Sequence, residues 1–200
     1  MLLIYSDKDS HRLQYTLKML FDNILGVEYS HTIQKEKFLR YQGPKLNYSP
    51  KAFSKEIFLK RVELLFQKSI EDFTIQTLDY EGSKAPFPIY DSNSYLPFDP
   101  FAASFYMLSR YEEYLPYNKD EHGRFNAHDS VAYRYRFLKK PVVNIWAYQL
   151  RKILKKRFPH LIFKKRKFSF IPTYDIDVAF SYRSKGFIRS CGGFLKSLYK

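Results

Sequence analysis

The apolar run Leu2-Leu3-Ile4-Tyr5 is followed, after a short polar break, by Leu13, Leu17, Leu20, Phe21 and Leu25 at near-helical spacing. A continuous apolar run that gives way to a period near 3.6 reads as a buried strand feeding an amphipathic helix. Asp9 or Ser10 is placed to cap that helix and Gly26 to stop it. "VEYSHTI" and "KLNYS" continue as strands around a short helical candidate, "KEKFLR". Strand and helix in alternation over the first fifty residues predict a small α/β layer.

From Ala52 to Tyr95 the periodicity weakens. "FTIQTLDY" alternates as a strand does, and "APFPIYDSNSYLPFDP" reads as a proline-rich connection. Asp99 before Pro100 has the form of an N-cap with proline at the first helical position, predicting a long helix over "FAASFYMLSRYEEYL". A polar loop, "PYNKDEHGRFNAHDS", separates it from a second long helix that begins after Pro141 and ends before Pro159. Past Pro159, Phe168 and Phe170 alternate with polar residues as in a new strand. The domains expected are an accessory α/β domain with two long helices over 1–162 and the start of another over 163–200.

Composition narrows the function classes. With 45% hydrophobic and 27% charged residues, the 200-residue chain can bury a substantial core. Tyr 18 and Phe 19 favour an aromatic core over exposed stacking rings. The single Cys191 excludes an internal disulfide and a thiolate zinc site, and no apolar run reaches membrane-spanning length, so a cytoplasmic protein without a membrane span is expected. A net charge of +14 favours polyanionic partners: nucleic acid, anionic lipid headgroups or an acidic glycan. The excess centres on "RKILKKRFPHLIFKKRK", where Ile153, Leu154, Phe158, Leu161 and Ile162 predict a buried face beneath a solvated one.

Near the end, "FIPTYDIDVAF" places Asp175 and Asp177 one residue apart after an apolar run. On a strand such residues share a face, roughly 6.5–7 Å apart. Active sites of α/β folds lie at the carboxyl ends of strands, where one carboxylate can bind a metal and another take a proton from its water. The same pair also fits a strand-to-loop turn with one Asp as a cap.

"PTYDID" resembles the first motif of the polysaccharide deacetylases, the NodB-type domain of carbohydrate esterase family 4. "DPFAASFYMLSRYEEYLP", "DEHGRF" and "PVVNIWAYQL" extend the similarity to the amino-terminal region of larger bacterial deacetylase-like proteins. The resemblance implies an irregular (β/α) barrel, hydrolysis of N- or O-acetyl groups on a carbohydrate substrate, Asp175 as catalytic base and Asp177 as ligand to a divalent metal, usually zinc. It also implies an H-x-x-x-H motif after the aspartates. His11, His31, His122, His128 and His160 all precede them, so the expectation is an amino-terminal part of a longer enzyme, inactive alone. The competing reading is a non-catalytic basic module for an acidic glycan or nucleic acid.

Other motifs read as structural. "KDEHGRFNAHD" is expected to be a solvated loop, Arg110 and Glu113 a surface ion pair, Gly192-Gly193 a turn, and Cys191 a bystander.

Overall fold

The structure, a computed structural model, describes residues 1–164, 168–175 and 186–198. Contacts divide the chain into two units, Met1–Arg166 and Lys167–Lys200.

In the first unit, β1 (Leu2–Ser6) leads through Ser10, whose hydroxyl accepts from the Leu13 N–H, into α1 (His11–Leu17). The helix continues as a π-helical stretch, Lys18–Leu25, and ends at Gly26, left-handed at φ 59°. β2 (Tyr29–Thr32), α2 (Lys35–Arg40), β3 (Lys45–Ser49) and β4 (Ile57–Lys60) follow. The four strands form one sheet in the order β2-β1-β3-β4, all parallel.

Period-two alternation splits the sheet between two cores. Leu2 and Ile4, with Leu46, Tyr48, Ile57 and Leu59, face the main core beneath α1, while Leu3 and Tyr5 turn to the other face against Phe38 of α2. The aromatic residues are largely core: Phe21, Tyr48, Phe98, Phe101 and Trp146 are fully buried.

β5 (Thr77–Tyr80) and β6 (Ser83–Pro86) form an antiparallel hairpin whose two turn residues, Glu81 and Gly82, both have positive φ. Such a turn matches the strand twist. The predicted strand over 73–80 thus begins only at Thr77, because Phe73 is drawn into a ring cluster with Phe87, Tyr106 and Tyr111.

α3 (Pro100–Leu108) starts at Asp99 as the sequence predicts, but is not long. Arg110 takes a left-handed φ of 53°, which breaks the helical ladder, and Tyr111–Tyr114 continues as a 3-10 turn that buries the Tyr111 ring. Of the two long helices expected after residue 99, only the one that follows Pro141 forms at its expected length. After the short α4 (Val131–Arg134), α5 runs for 16 residues, Val142–Arg157, with Trp146, Ala147, Leu150 and Leu154 inward and Lys155, Lys156 and Arg157 completing its last turn. That placement of cations suits the helix dipole. Beyond it Leu161 is buried and Ile162 is exposed, contrary to expectation. Residues 161–164 form no strand, and the Lys164 N–H donates to the Gly26 carbonyl at 2.7 Å.

In the second unit, residues 168–175 carry no strand, and Phe168, Phe170, Ile171 and Tyr174 are exposed. A strand needs a neighbour to take its backbone hydrogen bonds, and among the described residues none does so for this segment. α6 (Phe187–Leu198) includes Gly192 and Gly193, where the sequence predicts a turn. Among the described residues, no helix is long and apolar enough to cross a membrane.

Candidate functional site

Three places hold the chemistry-bearing residues. The first is the carboxylate motif. Asp175 is exposed at the end of residues 168–175, and Asp177 lies outside the described residues. The described residues contain no group of three or more His, Cys, Asp or Glu able to hold a metal. The described chain therefore offers Asp175 alone and does not assemble a donor set for the expected zinc.

The histidines are dispersed. His11, His122, His128 and His160 are exposed. "KDEHGRF" is a turn closed on Asp120, which accepts from the His122 and Arg124 N–H groups. His31 sits at the sheet's carboxyl edge, where the Gln14 amide donates to Nδ1 at 2.9 Å and Ser6 Oγ lies 2.7 Å from Nε2. The neutral ring thus carries its proton on Nε2 and donates to Ser6, whose hydroxyl in turn donates a hydrogen bond to the Lys8 carbonyl. Burial holds the His31 pKa below the ordinary value, against the pull of Asp9.

The second place is the carboxyl end of β1 and β3, where a parallel sheet of this order has its topological switch point. Arg61, its side chain 3% exposed, grips Asp7 in bidentate fashion at 2.7 and 2.8 Å. Its remaining Nη1 meets Glu63 at 2.8 Å, and its plane lies over Phe66. Burial works to raise the Asp7 pKa, but the hydrogen bonds and charge of Arg61 outweigh it and hold it low. Each of the three guanidinium nitrogens thus has a carboxylate partner, which braces this end of the sheet from within.

The third place is a cavity of about 630 Å³ between the 3-10 turn after α3, the segment Asp72–Ile75 and the chain around α4. Glu112 and Arg134 line it, with Tyr106, Tyr117, Phe125 and Tyr135 as walls. Glu112 Oε1 accepts from the Val131 N–H at 2.7 Å. Burial raises the Glu112 pKa against that hydrogen bond and the charge of Arg134. A carboxylate with a raised pKa in a concave site marks a candidate for function. Glu113 instead pairs with Arg110, as the sequence predicts. Adjacent glutamates thus part company, and the left-handed Arg110 that sends Glu112 inward leaves no mark in residue spacing.

Residues 2–159 match the family described as a family of unknown function, DUF7033. The chain belongs to that family. The DUF7033 match takes in the whole sheet, the hairpin, α5 and the cavity, and stops before Asp175. No curated protein and no solved structure matches the chain.

Proposed function

We propose that the chain is the amino-terminal part of a metal-dependent carbohydrate deacetylase, in which the DUF7033 body is an accessory domain and Asp175 and Asp177 begin the catalytic domain. The supporting observation is the position of Asp175: exposed, outside the family match, at the end of an exposed aromatic segment. In this reading Asp175 is the proton acceptor and Asp177 a ligand to the divalent metal, which when bound supplies an activated water. The remaining ligands come from residues after Lys200, so residues 1–200 hydrolyse nothing alone.

The test is acetate release from acetylated sugar oligomers by the protein extended past Lys200. Asp175→Asn should abolish release while leaving bound metal and fold intact. Acetate release unaffected by that substitution sinks the assignment of the base, and release by residues 1–200 alone sinks the division of the chain.

A second reading has its own observation. Lys152, Lys155, Lys156 and Arg157 are exposed along α5, and no ion pair to an acid involves them among the described residues. A polyanion bound there would leave steeply as salt rises; binding indifferent to salt would dismiss it.

A further inference from the structure

Tyr106 is 3% exposed, and its ring packs against Phe73, Phe87 and Tyr111 at centroid distances of 6.2, 5.8 and 5.3 Å. Buried tyrosine hydroxyls ordinarily find a partner. Tyr48 donates to Asp99, Tyr111 to the Glu71 carbonyl and Tyr135 to the Ile75 carbonyl. The Tyr106 hydroxyl has none among the described residues. Tyr106 lines the 630 Å³ cavity together with Asp72, Glu112 and Arg134, the groups whose charges act on its phenol. The ring is buried while its hydroxyl, without a protein partner among the described residues, opens on the cavity, where a ligand can take the hydrogen bond in place of water.

The surroundings define the ligand. Glu112 spends Oε1 on the Val131 N–H, and Oε2 makes no hydrogen bond among the described residues. Asp72 and Asp129 join it on the lining, with Arg134 as the cation, so the cavity is acidic in a chain whose net charge is +14. Tyr117 and Phe125, ring centroids 5.2 Å apart, provide apolar faces. The volume lies within the range of about 300–1,000 Å³ usual for small-molecule sites. Ring faces beside both donors and acceptors fit a pyranose, whose C–H faces are apolar and whose rim is hydroxylated. The surplus of carboxylates fits a cation on that rim.

We propose that this cavity is a saccharide subsite for a sugar ring bearing a free amine, with Tyr106 and Glu112 as its principal hydrogen-bonding groups. The preference for an amine rests on the deacetylase reading as well as on the acidic lining. Hydrolysis of an N-acetyl group consumes water, breaks the amide C–N bond and releases acetate, leaving that amine on the sugar. The accessory domain thus holds deacetylated chain while the catalytic domain acts elsewhere on it.

The test is calorimetric titration of the 200-residue chain with glucosamine oligomers and with N-acetylglucosamine oligomers of equal length. The glucosamine oligomer should bind about tenfold more tightly, the effect of one hydrogen bond to a charged group. Tyr106→Phe and Glu112→Gln, which keep ring and shape, should each weaken it about tenfold without lowering the melting temperature. Failure of both oligomers to bind, or binding untouched by both substitutions, overturns the subsite, and equal affinity for the two oligomers overturns the amine preference. The two readings fail separately: amine-oligomer binding in a protein that releases no acetate keeps the subsite and removes the enzyme. Acetate release without binding at this cavity does the reverse.

Discussion

Asp99→Asn probes the group that fastens α3, and with it Tyr106, to the sheet. Asp99 is fully buried; Oδ1 accepts from the Phe101 and Ala102 N–H groups, and Oδ2 accepts from the Tyr48 hydroxyl and the Val62 N–H, both at 2.8 Å. Asparagine preserves the first pair and turns an NH₂ toward the second. The Tyr48 hydroxyl can rotate and accept from it, whereas the Val62 N–H cannot and becomes a buried orphan donor, at a cost of about 1–3 kcal/mol. At about 2–4 °C per kcal/mol for a chain of this size, the melting temperature at pH 7 should fall by about 2–12 °C.

The pH dependence sharpens the test. Burial pushes the Asp99 pKa from 3.8 up to about 6, against its four hydrogen bonds. A raised carboxyl means the folded state binds the proton more tightly, so this contribution is fully present below 3.8 and lost as pH rises through about 6. At about 1.4 kcal/mol per pH unit it amounts to about 3 kcal/mol. Urea titrations of wild type and Asp99→Asn at pH 4, 5, 6 and 7 measure it, and the stability gap between them should widen toward pH 4. A gap that is constant, or that narrows in acid, refutes the reasoning.

Asp7 has the opposite sign. Although burial would raise its pKa, Arg61 holds it low, so its contribution is present above 3.8 and lost as pH falls through the lowered value. Asp7→Ala should cost about 3 kcal/mol in chemical denaturation at pH 7, near the low end for a broken buried pair because Glu63 still engages Arg61. Gly26→Ala should destabilise by at least about 1 kcal/mol: besides its left-handed φ, a Cβ there would stand 3.0 Å from Lys164 Cβ and 3.1 Å from its carbonyl oxygen. Replacing Lys152, Lys155 and Lys156 together by Gln should cost no more than about 1–2 kcal/mol, the helix-dipole contribution of the two cations in the last turn of α5, and abolish any heparin retention; retention that survives places the basic footprint elsewhere.

The parts of the fold legible in the sequence are those fixed by local pattern. The apolar run of β1, the stripe of α1 and caps at Ser10, Gly26, Asp99 and Pro141 each act within a few residues, and the structure places them as read. β4 was illegible because four residues, Ile57–Lys60, show no alternation, and what holds them is tertiary: pairing with β3 and the Tyr95 N–H, which donates to the Phe58 carbonyl. The hairpin lay in its turn, where Glu81-Gly82 could have suggested a two-residue connection. The cavity had no sequence signal at all. Glu112 reaches it through one left-handed residue, Arg110, of a type that seldom adopts that conformation.

Metal content tests the central claim most directly. Elemental analysis of the protein extended past Lys200, wild type against Asp177→Asn, should find a stoichiometric divalent metal in the first and its loss from the second, with circular dichroism unchanged. Equal metal in both, or none in either, would contradict the assignment of Asp175 and Asp177 to a hydrolytic centre.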